Sequence, residues 1–130
     1  MPRSLLSLRL LFCLLQKIFW PVLNPIMIDI VPAHLRLVLD ILEKYVPECE
    51  ARVFGSRYAH TAKSYSDLDL ALIGTGRLDV NQMGKVKEAF QESILPYRVD
   101  VLDWYAISPE FQKVIENNGY EIIQKRSNQP

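Results

Sequence analysis

Two carboxylates one residue apart, Asp67 and Asp69, open the apolar run DLDLALI. That composition predicts a β-strand over Leu68 to Ile73, closed by Gly74 and Gly76. Alternate side chains of a strand share a face, so Asp67 and Asp69 are expected to point one way while Leu68 and Leu70 enter the core. Two like charges at that spacing repel, a cost that a cation between them relieves. The donors are hard oxygens of the kind Mg²⁺ takes, one or two carboxylates with water and substrate phosphates completing the shell. A third acid, Asp100, alternates with branched apolar residues in Arg98-Val99-Asp100-Val101-Leu102 and predicts a second strand. If the two strands are neighbours, three carboxylates meet, and two metal ions about 3.5–4 Å apart then clamp an in-line phosphoryl or nucleotidyl displacement. In this reading Asp67, Asp69 and Asp100 are the catalytic and metal-binding residues. Asp67 and Asp69 bridge both ions, while Asp100 serves the acceptor side and helps remove the proton of the attacking hydroxyl. Asp103 is the rival third acid, expected past the strand end beside Trp104.

Upstream, Gly55-Ser56 directly follows a short predicted strand, Glu50 to Phe54, and ten residues separate Ser56 from Asp67. A glycine there lets the backbone turn sharply and come close to a ligand. Ser56 and Arg57 open a short helical turn whose amides favour a phosphate, and an arginine adds a charged fork for oxygens. Gly55, Ser56, Arg57 and Ser66 are therefore the nucleotide-binding candidates, with Lys63 a further basic residue in the same loop. For Ser66, a bond to its own loop backbone is the equal alternative. His34 and His60 read as packed or solvent-facing, and Tyr58 and Tyr65 as loop packing. Phe90, Trp104, Phe111 and Tyr120 read as core.

The elements that must position these residues follow from periodicity. Leu35, Val38, Leu39, Leu42 and Tyr45 recur at helical steps, predicting an amphipathic helix from Pro32 to Tyr45 with Pro47 past its end. A second helix is expected over Leu78 to Leu95, stopped by Pro96. A third runs from the N-cap Ser108 through Pro109 to an Asn118-Gly119 exit. Tyr120 to Gln124 reads as a last strand. The order helix, strand, loop, strand, helix, strand, helix, strand implies an α/β (α+β) fold, a mixed sheet of about four strands packed by helices.

Composition narrows the function classes. The 130 residues are 49% hydrophobic and 23% charged, as expected of one globular domain. Fifteen basic residues balance fifteen acidic ones, so no long-range positive field favours direct nucleic-acid binding. The two cysteines, Cys13 and Cys49, match no zinc or redox spacing and are too few for a disulfide framework, which suits a reducing, cytoplasmic setting. The first 26 residues hold Arg3, Arg9 and Lys17 and no acid, leaving twelve bases against fifteen acids, a net −3, from Met27 onward. Gln16 and Lys17 interrupt the apolar run, against a signal peptide or a stable membrane association. Residues 1–26 are read as an extension upstream of the domain start at Met27, the alternative being an amphipathic surface or partner-binding helix. The domain then spans 27–126 and residues 127–130 form a frayed tail.

The combination of Gly55-Ser56, ten residues, Asp67-x-Asp69 and the later apolar strand carrying Asp100 resembles the nucleotidyltransferase superfamily that includes DNA polymerase beta and aminoglycoside nucleotidyltransferases. More closely it resembles the minimal nucleotidyltransferase (MNT) branch, often encoded beside a HEPN-domain protein. The resemblance covers about residues 30–124. It implies ATP as substrate, Mg²⁺ as cofactor, and an antitoxin that transfers AMP to a tyrosine of a HEPN ribonuclease toxin. One departure is His60, where family members commonly carry glycine. A domain this small has no second lobe to hold an acceptor, consistent with an acceptor on a partner protein. A binding module that neutralises its partner by contact, and an aminoglycoside-type enzyme, are the alternatives.

Overall fold

The computed structural model describes residues 26–126; nearly all of the N-terminal extension, with Cys13, and the tail 127–130 lie outside the described residues. Helix α1 spans Pro32–Tyr45, strand β1 Glu50–Phe54, the short helix α2 Ser56–Ala59, β2 Leu68–Ile73, α3 Val80–Gln91, β3 Val99–Asp103, α4 Pro109–Asn118 and β4 Glu121–Gln124. The sheet order is β3-β2-β1-β4. Strand β1 pairs antiparallel with both β2 and β4, and β2 runs parallel to β3. A parallel pair needs a crossover, and α3 supplies it.

The sheet separates two apolar clusters, which explains the alternation along its strands. Leu68, Leu70 and Leu72 of β2, Ala51 and Val53 of β1 and Val101 of β3 join Val38 and Leu42 of α1 and Val86 and Phe90 of α3 in the larger core. Ala71 and Ile73 face the other way and pack with Trp104 and with Ile115 of α4. Asp69, between Leu68 and Leu70, therefore belongs to the α4 face.

Both α1 and α4 begin with proline at the first helical positions, and the Ser108 hydroxyl accepts from the Phe111 amide at 3.1 Å. Helix α3 is shorter at both ends than Leu78 to Leu95. The Asp103 carboxylate takes the Leu78 amide at 2.9 Å before the helix begins, and the Ser93 hydroxyl donates to the Phe90 carbonyl at 2.6 Å beyond its last turn. Ile94, which periodicity placed on the helix, is left 90% exposed.

Two readings of the apolar residues change. Phe111 is 38% exposed and outside the core, because α4 reaches only far enough for an edge-on contact with Phe54, ring centres 6.3 Å apart. Tyr65 is 69% exposed and packs no loop. Phe90 and Trp104 are buried, Tyr120 packs partly buried on the smaller cluster, and His34 lies edge-on to Tyr97.

Candidate functional site

The acids meet at one end of the sheet on the α4 face. In the β2–β3 ladder Asp69 is the direct partner of Asp100, and in the β1–β2 ladder Asp69 pairs with Phe54. Register partners on neighbouring strands stand about 4.8 Å apart with side chains on the same face, so Phe54, Asp69 and Asp100 form one row. Asp67 immediately precedes β2 and acts electrostatically on the same carboxyl. Burial, with the Asp100 and Asp67 charges, pushes the Asp69 carboxyl from 3.8 up to about 6, while Arg98 pulls it down. Asp67 is held by the Arg98 guanidinium at 3.4 Å, an exposed pair of small energetic weight.

Gly55 fits against this row. Its φ is +77°, a conformation L side chains rarely adopt, and a Cβ added there would collide with Oδ2 of Asp69. The turn and the acids are therefore in van der Waals contact, and only glycine permits it. Ser56 begins α2 directly after the turn. At the far end of α2, His60 sits in the left-handed region at φ +59°, the one non-glycine residue with positive φ among the described residues. That is a backbone reason for glycine at this position, and histidine is among the residue types that tolerate it.

Arg57 requires a correction. It was expected to reach for phosphate, but it is only 5% exposed and turned inward. Its guanidinium donates to the carbonyls of Ser66 at 2.8 and 3.1 Å, Ser64 at 3.3 Å and Asp29 at 3.0 Å, and lies over the Tyr97 ring at 3.9 Å. A planar fork that has found three carbonyls and a ring face is committed to the protein interior. Ser66 is also used internally: its hydroxyl accepts from the Lys63 amide at 2.8 Å, the backbone alternative to nucleotide contact. The Lys63 side chain itself stays exposed. Asp103 is not beyond the strand but its last residue, buried, and its two oxygens take the amides of Leu78 and Tyr105. Those bonds leave it a structural role.

Sequence reasoning assigned no role to Arg98 or Tyr97. The alternation Arg98-Val99-Asp100 put Arg98 on the Asp100 side of the strand, which was the available signal; nothing local marked Tyr97 as the ring beneath Arg57.

The donor chemistry fits Mg²⁺: three carboxylates, one of them pushed up to about 6 by burial and by its two acidic neighbours. Among the described residues no group of three or more His, Cys, Asp or Glu side chains is arranged to hold an ion by itself. The three acids therefore do not form a closed cage of their own; Mg²⁺ commonly completes its shell with phosphate oxygens and water. An open depression of about 520 Å³ runs beside it, between α3 and the outer edge of β3, bordered by Lys87, Gln91, Arg98 and Asp100 among others.

The polymerase beta nucleotidyltransferase family matches residues 38–128. The chain belongs to this family. A nucleotidyltransferase relative, the probable protein adenylyltransferase MntA of Haemophilus influenzae, is 44% identical over 99 residues, which cover 76% of this chain and 86% of that protein. The fold is similar to that of a toxin-antitoxin crystal structure with AMP-PNP, at TM-score 0.58 and 20% identity over 68% of this chain and 71% of the other. It is also similar to a complex of a tri-AMPylated Shewanella oneidensis HEPN toxin with an MNT antitoxin, at TM-score 0.53 and 20% identity over 70% and 69% of the two chains. The mixed four-stranded sheet is thus that of a nucleotidyltransferase. Among the described residues no helix is long and apolar enough to cross a membrane.

Proposed function

We propose that this chain is a Mg²⁺-dependent protein adenylyltransferase that moves AMP from ATP onto a hydroxyl of a partner protein, a tyrosine of a HEPN toxin, and thereby acts as an antitoxin in the cytoplasm. The observation that carries the reading is the pairing of Asp69 with Asp100 in the parallel ladder, beside a glycine turn in contact with the same carboxylate. The relative named a probable protein adenylyltransferase supports the protein acceptor, and the similarity to toxin-antitoxin complexes supports the kind of partner.

The residues divide the work. Gly55 and Ser56 bring backbone amides and a hydroxyl close enough to bind and orient the triphosphate. Asp67 and Asp69 would hold the divalent cation, whose charge when bound offsets that of the phosphates and of the departing pyrophosphate. Asp100 faces the acceptor side and takes the proton as the acceptor oxygen forms its bond to the α-phosphorus and the bond to pyrophosphate breaks. Arg57 and Ser66, offered at first as nucleotide contacts, support the loop.

The test is transfer. Purified chain, Mg²⁺, ATP labelled at the α-phosphate and the protein encoded beside it should give a labelled partner, and label at the γ-phosphate should not transfer. Partner that is neutralised without acquiring label would instead support neutralisation by contact.

A further inference from the structure

We infer that Arg57 is a positioning residue: an internal guanidinium clamp that fixes the spacing between the Gly55-Ser56 turn and the carboxylates before any nucleotide arrives. The inference deepens the nucleotidyl-transfer reading and rests on it for its ligand, though not for its geometry. Three parts of the site converge on this one side chain. It grips the carbonyls of Ser64 and Ser66, the residues that lead into Asp67. It grips Asp29, whose amide in turn donates to the Arg57 carbonyl at 2.8 Å, so the segment before α1 is bound from both sides. It rests on Tyr97, next to the Arg98 that pairs with Asp67 and three residues before Asp100. The loop it holds has few other anchors: Thr61, Lys63, Ser64 and Tyr65 are exposed, the Thr61 amide donates to the Ser56 carbonyl at 3.0 Å, and a short turn joins Lys63 and Ser66.

Chemistry accounts for an arginine here. Its contacts fan out from Nε, Nη1 and Nη2 in one plane with a ring face beneath, a geometry that a lysine ammonium cannot reproduce even though it carries the same charge. All its oxygen partners are carbonyls, not carboxylates, so the positive charge is solvated by the loop and not neutralised. Lysine at this position therefore keeps the charge and loses the fork, separating positioning from electrostatics.

The experiment compares wild type, Arg57→Lys and Val38→Ala, the last a buried core change on α1, outside the loop, that lowers global stability. Loss of charge-assisted bonds should speed amide exchange at Lys63 and Ser66 about tenfold in Arg57→Lys, with β1 and β2 amides little changed. The affinity for ATP with Mg²⁺, measured by calorimetry on the folded protein, should fall about tenfold in Arg57→Lys, since an unpositioned loop must be ordered on binding. Val38→Ala should speed exchange in the core and leave ATP affinity unchanged once folded fraction is accounted for. The clamp is overturned if Arg57→Lys leaves loop exchange at the wild-type rate, or if both variants change loop exchange and affinity in parallel. Should wild type itself fail to bind ATP, the nucleotidyl-transfer reading falls while the exchange comparison still decides the clamp.

Discussion

Removing the charge of Asp69 should make the protein more stable while destroying its chemistry. Burial and two neighbouring carboxylates raise this carboxyl from 3.8 to about 6. A group whose folded value is raised gives its full stability below the unfolded value, here 3.8, and loses it as pH climbs through the folded value of about 6. Above that pH the folded protein carries an ionised carboxylate in a place that disfavours it. A shift of roughly two units corresponds to about 3 kcal/mol at ~1.36 kcal/mol per unit. The carboxyl is only half buried, so solvent screening reduces the figure to about 1–1.5 kcal/mol. Asp69→Asn, nearly isosteric and never charged, should then gain about that much at pH 7.5 and raise the thermal midpoint by ~5–10 °C. Urea unfolding at pH 7.5 and pH 4 measures it, and the advantage should shrink to a few tenths of a kcal/mol at the lower pH, where the wild-type carboxyl is already protonated when folded. Mg²⁺ should stabilise wild type and not Asp69→Asn, since only a ligand of the folded state shifts the midpoint. An Asn variant no more stable at pH 7.5, or one whose advantage persists at pH 4, would refute the electrostatic reasoning.

Other outcomes follow from the same geometry. Gly55→Ala combines an unfavourable φ with a Cβ driven into the Asp69 carboxylate; it should cost at least about 1–2 kcal/mol in chemical denaturation and lose AMP transfer. At His60, with φ +59°, replacement by Val should cost about 1–2 kcal/mol, whereas His60→Gly should stay within about 1 kcal/mol of wild type. Asp103→Ala strands the Leu78 and Tyr105 amides and should cost about 1–3 kcal/mol without lowering kcat of the folded protein, the reverse of the pattern expected for Asp100→Ala. Leu70→Ala, at a fully buried position in β2, should cost about 2–5 kcal/mol.

What could be read in advance was whatever depends on short-range pattern. The D-x-D start of β2, the apolar alternation around Asp100 and the proline-led helices α1 and α4 each declare themselves within a few residues, and the parallel neighbourhood of β2 and β3 follows from the helix between them. What escaped depends on distant partners. Arg57 looks like any loop arginine until the carbonyl of Asp29 and the ring of Tyr97, remote in sequence, are brought beneath it. Asp103 seemed a surplus acid because its partner amide at Leu78 lies 25 residues away, before α3 begins. Phe111 has the composition of a core residue, but α4 covers the sheet only with Ile115 buried and leaves Phe111 at the margin. The glycine reading at Gly55 was legible as a turn, but its contact with Asp69 was not, since that needs the register of β1 against β2.

The part Asp100 plays beside Asp67 and Asp69 in nucleotidyl transfer can be tested directly. The decisive measurement is the rate at which α-phosphate label moves from ATP to the partner protein for wild type, Asp69→Asn and Asp100→Asn, each shown to be folded and to bind the partner. Near-complete loss of transfer in both variants, with partner binding retained, is the expected result. Transfer at the wild-type rate in Asp100→Asn would contradict it.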